Sequence, residues 1–278
     1  MKLFVTGGTG FIGSHFLNAA LKNGHEVVAQ HRPGSKPRIP LSHEPEWIEG
    51  QLNSNFIQKL KECDVLVHLA AHTPNPPYDS LEKCLYWNLN MSLNLLNQAY
   101  EAGIKKYLIA GSCFEYGSSG ERYELIPVDA PLEPTMTYPA SKAAASVAFH
   151  SWAVEKNVSL QILRIFQVFG EGESESRLWP SLRKAAISGE NYPMTEGEQI
   201  RDFIPVEEVA TTFISSLSFD GVDLGKPIIK NVGTGSPQSV RKFSEYWWKK
   251  WNAKGELQIG KIPYRNNEIM RFVPLVED

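Results

Sequence analysis

The segment Thr6–Gly13 restricts the fold of this chain most, because its glycines recur as G-x-G-x-x-G and, counting from Gly7, at intervals of three. An apolar run, Leu3–Thr6, precedes the segment, and a helical pattern, Phe11–Asn23, follows it and stops at Gly24. Glycine lets the backbone turn tightly and approach a pyrophosphate, and the next helix N-terminus offers unpaired N–H groups and partial positive charge. The strand–turn–helix context therefore predicts a dinucleotide-binding unit.

Short apolar runs alternate with longer helical patterns over the first two-thirds of the chain, which predicts a doubly wound parallel α/β sheet of Rossmann-like type. The predicted strands are Leu3–Thr6, Glu26–Ala29, Val65–Ala70, Tyr107–Ala110, Leu160–Ile165, Phe203–Val206 and Ile228–Val232, and the later predicted helices are Leu81–Ala102, Tyr138–Lys156 and Val240–Trp251. We expect a dinucleotide-binding domain made of residues 1–170 and about 203–235. A smaller, discontinuous substrate domain would use about 171–202 and 236–278.

Composition excludes several classes of protein. The 278 residues carry a formal charge of −3, so no global basic field favours nucleic acid. No apolar run approaches the ~20 residues that cross a bilayer, and the glycine turn ends the first apolar run too early for a signal peptide. The three cysteines lack metal-ligand spacing. We therefore expect no metal, no membrane or nucleic-acid partner, and a reducing, cytoplasmic location.

The end of the second predicted strand bears on cofactor choice. NAD-selective sites usually place an acidic residue about 20 residues after the glycine turn, where it binds the ribose 2′-hydroxyl. This chain has His31 and Arg32 there, and a guanidinium suits a 2′-phosphate. The pattern favours NADP(H) over NAD(H), the alternative being that Arg32 is an ordinary solvated loop cation.

A tyrosine and a lysine four residues apart, Tyr138 and Lys142, share one face of a predicted helix. Free tyrosine has a pKa of ~10, and a nearby ammonium lowers it toward the range useful for proton transfer. Ser112 follows an apolar strand, so it would lie at the carboxyl edge of the sheet, where ligands bind. Together they predict that Tyr138 transfers a proton, Ser112 polarises a substrate oxygen, and Lys142 lowers the pKa of Tyr138 while binding a cofactor ribose.

Other reactive side chains have simpler interpretations. His68 falls within a predicted buried strand and is expected to be a core histidine. Cys113 is more simply an apolar filler than a reactive base. His72 and Thr73 follow a strand end and could face substrate. The tryptophans of the last predicted helix are expected to pack.

Several motifs together resemble the extended short-chain dehydrogenases/reductases of the nucleotide-sugar epimerase/dehydratase family. The family's TGGxGFIGS turn, HLAA strand end, asparagine-containing helix, R-D-F-I-H-V segment and late N-x-G-x-G turn correspond here to Thr6–Ser14, His68–Ala71, Asn88–Ala99, Arg201–Val206 and Asn231–Gly235. Ser112, Tyr138 and Lys142 fall on the family's catalytic positions. The resemblance extends over nearly the whole chain.

The resemblance implies roles for individual residues. The cofactor would contact Gly7, Gly10, Phe11, Ile12, Gly13, His31, Arg32, Leu69, Ala70, Ala71, Tyr138 and Lys142. The substrate would contact Thr73, Ser112, Cys113, Gln167, Arg177, Arg201 and Arg265, with Arg201 gripping the diphosphate. It also implies a homodimer built from the predicted helices Leu81–Ala102 and Tyr138–Lys156, with Val147, Ala148 and Trp152 packing across the two-fold axis.

Departures from the family pattern narrow the predicted reaction. Dehydratases usually carry Thr-Asp-Glu where this chain has Ser112, Cys113 and Phe114, so elimination of water is disfavoured. The stretch Gly111–Gly117 and the tail Tyr264–Glu268 most resemble NDP-4-keto-6-deoxyhexose 4-reductases of the CDP-abequose synthase kind. We predict NADPH-dependent reduction of the C4 keto group of a nucleotide-activated deoxyhexose. The alternatives are an NDP-sugar 4-epimerase with tightly held NAD and a non-catalytic NADP-binding regulator.

Overall fold

A computed structural model describes residues 1–266 and 268–276. Asn267 of the tail motif and residues 277–278 of the expected second domain lie outside the described residues. In chain order the strands are β1 (Lys2–Thr6), β2 (Glu26–His31), β3 (Glu46–Glu49), β4 (Val65–His68), β5 (Lys106–Ser112), β6 (Ser159–Ile165), β7 (Gln167–Phe169), β8 (Tyr192–Pro193), β9 (Ile200–Pro205), β10 (Ile228–Val232), β11 (Pro237–Ser239), β12 (Leu257–Gln258) and β13 (Arg271–Phe272).

The helices lie mostly where the 3.6-residue pattern predicts them. They are α1 (Phe11–Lys22), α2 (Ile57–Leu60), α3 (Leu81–Leu85), α4 (Ser92–Glu101), α5 (Thr137–Lys156), α6 (Leu178–Ser188), α7 (Val206–Ser216) and α8 (Val240–Lys250). The predicted helix Leu81–Ala102 is interrupted by a π-helical turn, Tyr86–Met91, and 3₁₀ turns cover Cys113–Tyr116 and Ser118–Arg122. Within the described ranges, none of these helices is both long enough and apolar enough to cross a membrane.

The large sheet confirms the predicted doubly wound fold. Its seven strands run in the order β10-β6-β5-β4-β1-β2-β3, and every neighbouring pair is parallel. From the central β1 the chain first builds outward through β2 and β3, and later strands extend the other side from β4. The carboxyl ends of β1 and β4 therefore flank the crevice where the strand order reverses, which is where such sheets bind ligands.

Apolar side chains cover both faces of this sheet, as parallel strands require. On one face α1 packs against α7, with Phe16 and Phe213 at 6.1 Å between ring centroids. The other face is covered by α4 and α5, and Trp152 belongs to this core. The expectation that Trp152 crosses a dimer axis is wrong, because its ring packs on Tyr107 and its indole N–H donates to Asn97.

A second sheet lies outside the large one. β9 pairs with β7, β11 and β13, so the predicted strand Phe203–Val206 does not rejoin the large sheet as expected. The chain returns to the main core with α7 and β10 instead. A separate apolar cluster joins α6 to α8 through Leu182 and Trp248. The parts of this cluster come from distant stretches of sequence.

Candidate active site

The loop between β1 and α1 brings the glycine turn against the end of β4. Gly7 has a φ of +75°, and a Cβ added there would lie 2.5 Å from the Ala70 nitrogen and 2.6 Å from the Leu69 carbonyl carbon. A Cβ on Gly13 would overlap the Gly7 carbonyl oxygen. Both positions therefore need glycine, and the backbone of the turn rests directly on the strand end that the HLAA motif marks.

The N-terminus of α1 opens beside this turn. Its N-cap residue, Gly10, offers no side-chain cap, and the first turn contains no acidic residue. Phe11 and Ile12 begin the helix and are half-buried, as is Ala71 just after β4. An open helix N-terminus next to a surface free of Cβ atoms suits an anionic pyrophosphate. The residues present thus fit a nicotinamide dinucleotide, whose individual contacts remain predictions.

A basic loop follows β2. His31 ends the strand, and its ring packs edge-on against Trp47 at 5.4 Å. Arg32, Lys36 and Arg38 are exposed, and in residues 1–266 and 268–276 they form no ion pair. The Arg38 N–H donates to the Ser14 hydroxyl at 2.9 Å, which ties the loop to α1. Lys36 and Arg38 are cations that the sequence analysis did not select.

The structure brings Ser112, Tyr138 and Lys142 together at the carboxyl end of β5. Ser112 is the last residue of that strand and caps the 3₁₀ turn that follows. Tyr138 and Lys142 lie one turn apart in the first half of α5, and all three residues are less than a tenth exposed. Lys142 Nζ donates to the Ala110 carbonyl at 2.8 Å. A hydroxyl, a phenol and an ammonium therefore converge at one strand end.

The expected lowering of the Tyr138 pKa by Lys142 is not seen. Burial raises the pKa of Tyr138, the Glu115 carboxylate raises it further, and the Ser112 hydroxyl acts in the opposite direction. Burial also lowers the pKa of Lys142. The physical reason is that the ammonium is directed to the Ala110 carbonyl, while the phenol lies in a desolvated environment that penalises its anion.

Asn88 is a polar residue near the site that the sequence analysis quoted only as part of a helix motif. The π-helical turn carries it inward, where its Nδ2 donates to Ser141 Oγ at 2.9 Å and its Oδ1 accepts the His72 N–H at 2.6 Å. Single π-helical turns within α-helices frequently occur at functional sites. Asn88 joins the loop after β4 to α5. The signal in the sequence that could have identified it is an asparagine on a helix face that is expected to be apolar.

His68 is a core histidine, as predicted. Its ring nitrogens pair with Thr6 at 2.7 Å and Ser92 at 2.9 Å, and burial lowers its pKa to about 3. Burial likewise raises the pKa of Cys113 to about 12, which agrees with an apolar filler rather than a reactive base. Thr73 adopts a φ of +48°, with its hydroxyl 3.5 Å from Cys84 Sγ.

Beside Tyr138 lies an aromatic residue, Tyr78, that the sequence analysis missed. The Tyr78 ring lies 5.4 Å from the Tyr138 ring, at an interplanar angle of 30°. The Arg177 guanidinium is near enough to oppose the rise that burial causes in the pKa of both Tyr78 and Cys113. Its guanidinium also lies 3.5 Å from Glu173, a carboxyl whose pKa burial raises to about 7. Arg177 and Cys113 are thus on the same side of the site as Tyr138.

The remaining predicted substrate residues are less closely grouped. Arg201 is held by the C-terminal segment, because it donates to the Ile269 carbonyl at 2.6 Å and lies 3.5 Å from Glu268. It is still near enough to influence the pKa of Cys113. Gln167 begins β7 and is half-buried. Arg265 is exposed, and no contact in the described part of the chain links its guanidinium to the other residues.

Known proteins with similar sequences carry out nucleotide-sugar chemistry. UDP-glucose 4-epimerase of Corynebacterium glutamicum is 28% identical over 269 residues, covering 88% of this chain and 79% of the relative. CDP-abequose synthase of Salmonella muenchen is 26% identical over 273 residues, covering 97% and 87%. A solved structure of MoeE5 in complex with UDP-glucose and NAD is 26% identical with a TM-score of 0.84, covering 99% of this chain and 90% of that one.

A family model extends over most of the sequence. The model described as "NAD dependent epimerase/dehydratase family" matches residues 3–233, a range that includes the glycine turn and the Ser112, Tyr138 and Lys142 positions. The same range ends at the late glycine turn after β10. The chain therefore belongs to the NAD dependent epimerase/dehydratase family, a group of extended short-chain dehydrogenase/reductase enzymes that modify nucleotide sugars.

Proposed function

We propose that the protein reduces the C4 keto group of a nucleotide-activated deoxyhexose with NADPH. The observation that carries this proposal is the makeup of the turn after Ser112. Burial raises the pKa of the Cys113 thiol, and the ring centroid of Phe114 lies 6.4 Å from that of Phe272. Neither side chain can serve as the acid/base pair that elimination of water needs. What remains is a proton donor, a hydroxyl and an ammonium, which is sufficient for carbonyl reduction.

Each residue would have a distinct task in this reaction. NADPH, when bound, would supply the hydride. The Tyr138 phenol would donate its proton to the developing alkoxide, and the Ser112 hydroxyl would hydrogen-bond the same oxygen. Lys142 would orient the cofactor ribose, and its positive charge would balance the phenolate that Tyr138 becomes when it donates its proton. Arg177 and Arg201 would bind the diphosphate. Arg201 would use the N–H groups that its contacts with Ile200, Glu268 and Ile269 leave free.

The preference for NADPH rests on the loop after β2. His31 occupies the position where an NAD-selective site presents a carboxylate, and Arg32, Lys36 and Arg38 are exposed nearby. Guanidinium groups bind phosphate with paired N–H donors, so this loop suits a 2′-phosphate. The NAD in the MoeE5 structure supports the other cofactor, so affinity must be measured for both.

A 4-epimerase is the second candidate. The Corynebacterium relative carries that name, and an epimerase would use the same Ser112, Tyr138 and Lys142. The two activities differ in net redox change, because an epimerase removes a hydride from the sugar and returns it to the other face. Mutation of the shared residues cannot distinguish them.

We also propose a homodimer formed through α5 and the neighbouring helical segment. Val147 and Val154 are 62% and 50% exposed, and they lie on the same side of α5. Tyr86 and Leu81, on the segment packed beside α5, are both 41% exposed. Exposed apolar side chains on neighbouring helical segments favour burial against a second copy.

Reaction stoichiometry tests the proposed function. Purified protein should consume one NADPH for each NDP-4-keto-deoxyhexose reduced, measured by reduced-nicotinamide absorbance together with product analysis. It should not interconvert NDP-hexose 4-epimers without added cofactor. Copurified NAD⁺ in stoichiometric amount, with epimer exchange and no net change in reduced nicotinamide, would establish the epimerase instead.

Replacing Arg32 by alanine should narrow the preference for NADPH over NADH. A charge-assisted hydrogen bond contributes about 1.5–3 kcal/mol, which corresponds to roughly 10–150-fold in the NADPH dissociation constant. NADH affinity should change little. Arg241→Ala, which removes an exposed arginine of α8, is the matched control for calorimetric titration of both cofactors. Equal NADPH and NADH affinities in the unmodified protein would contradict the assignment.

Replacing Tyr138 by phenylalanine should slow ketoreduction while leaving the fold and NADPH affinity nearly unchanged. The substitution removes only the proton-donating hydroxyl, and general acid catalysis contributes about 10²–10⁴-fold in rate. Single-turnover rates measure the loss, with Tyr246→Phe, at an exposed tyrosine, as control. A Tyr138→Phe rate within a few-fold of the unmodified protein would assign the proton donor to another group.

Replacing Val147 by glutamate should convert the dimer to a monomer at the same protein concentration, because it introduces charge into the apolar stripe on α5. Sedimentation equilibrium measures the mass. Ile187→Glu, at a side chain 65% exposed on α6, should leave the dimer intact. A monomer mass for the unmodified protein at every concentration would refute the proposed interface.

A further inference from the structure

A buried carboxylate lies behind the proposed catalytic residues and has no task in the reaction described above. Glu115 is fully buried, in the 3₁₀ turn that follows β5. Its Oε1 accepts the Ser112 backbone N–H at 2.8 Å, and its Oε2 accepts the Arg164 Nε–H at 2.9 Å. Ser112 and Glu115 together form a capping box. The carboxylate thus fixes the main chain of the residue whose hydroxyl faces the site.

The contacts of Arg164 hold this carboxylate in one place. Arg164 is 3% exposed; its Nη1 donates to the Tyr116 hydroxyl at 3.0 Å and to the Val128 carbonyl at 2.9 Å. Tyr116 in turn donates to Asn231 at 2.7 Å. A buried ion pair costs desolvation energy unless surrounding hydrogen bonds satisfy both partners. Here the network satisfies them, and it leaves little freedom for Glu115 to move.

The negative charge of Glu115 also acts on the reacting groups. It raises the pKa of Tyr138 and opposes the lowering of the Lys142 pKa by burial. The other groups around this pair are neutral or weaker in effect. Tyr78 and Cys113 raise the pKa of Tyr138 less than Glu115 does, the Ser112 hydroxyl lowers it, and His68 is the neutral group on the Lys142 side. Both effects of Glu115 favour the phenol and ammonium forms.

We propose that Glu115 is a positioning residue of this active site: its buried carboxylate, held by Arg164, fixes Ser112 through the backbone N–H and places a negative charge behind Tyr138 and Lys142. This inference rests on the proposed ketoreduction, because there Tyr138 begins each turnover as the acid. A carboxylate placed in this way maintains the proton donor in its loaded state over a wider range of pH.

Glu115→Gln separates this role from a purely structural one. Glutamine keeps the size of the side chain and an oxygen for the Ser112 N–H, but it removes the charge. Reduction requires protonated Tyr138, so rate is lost as pH rises through its pKa. Removing the anion lowers that pKa, so the midpoint of the alkaline limb of kcat should move to lower pH by about one unit, the usual size for a neighbouring buried charge.

The matched control is Tyr116→Phe, which breaks two hydrogen bonds of the same network without changing charge. It should lower the melting temperature and leave the alkaline midpoint in place. Glu115→Asp retains the charge on a shorter arm, so it should lower kcat with an unmoved midpoint, and it serves if the glutamine variant does not fold. A Glu115→Gln midpoint equal to that of the unmodified protein, or a shifted Glu115→Asp midpoint, would overturn the proposal.

The protonation of Tyr138 can also be measured without turnover. Ultraviolet absorbance of tyrosinate, titrated in the NADP⁺ complex and corrected with the Tyr138→Phe protein, should show the same downward shift in Glu115→Gln. If no keto sugar is reduced but this shift is present, the proposed reaction fails and the role of Glu115 stands. If NADPH is consumed and no shift is seen, the proposed reaction stands and the role of Glu115 fails.

Discussion

The missing side chains of Gly7 and Gly13 are the constraint on which much of this structure depends. Without a Cβ at either position, the turn after β1 rests on the end of β4, and α1 begins immediately above it. Phe16 of α1 then packs on Phe213 of α7, the helix that leads the chain back to β10. Asn231 of β10 accepts from Tyr116, four residues after Ser112. The close backbone approach at the cofactor end is thus connected by packing to the end of the strand that bears Ser112.

The interior of this site holds buried charged groups of both signs. Lys142, Arg164 and Glu115 are each less than a tenth exposed. Burying such groups is costly, and each is compensated by a backbone carbonyl, a backbone N–H or an opposite charge. Rigid compensation of this kind leaves dipoles and charges already oriented before substrate binds, which is the condition under which they stabilise developing charge most effectively.

The sequence predicted the elements that obey a regular pattern and failed where tertiary contacts decide. The buried strands of the large sheet and α1, α5 and α8 follow their apolar periodicity. β3 was not predicted, because its four residues Glu46–Glu49 include two charged ones at the sheet edge. The segment Phe203–Val206 has the apolar pattern of a strand of the large sheet, yet Phe203 pairs with β7. Periodicity cannot identify the pairing partner of a strand.

The same distinction applies to individual site residues. Ser112, Tyr138 and Lys142 can be predicted from the sequence, because their spacing and strand-end position are local properties. The engagement of Arg201 with Ile269 joins segments far apart in sequence, and no local pattern encodes it. The helical position of Trp152 predicts that it lies at a dimer interface. Only the packing of Tyr107 against Trp152 shows that this side chain faces the core. The sequence shows that Glu115 is an acid in a largely apolar stretch. It does not show that the partner of Glu115 is Arg164, which lies on β6.

Because of the π-helical turn at Tyr86–Met91, the site depends on how many residues this segment contains as well as on which residues they are. Each residue of an α-helix advances the chain by about 100°, so deleting one residue from this turn would rotate the two halves of the helical segment relative to each other. Leu95 and Leu96 anchor the second half in the core, so the rotation would fall on Asn88 and carry its amide away from Ser141. Relatives that differ here by a single insertion or deletion can therefore differ in active-site architecture while every aligned residue remains the same.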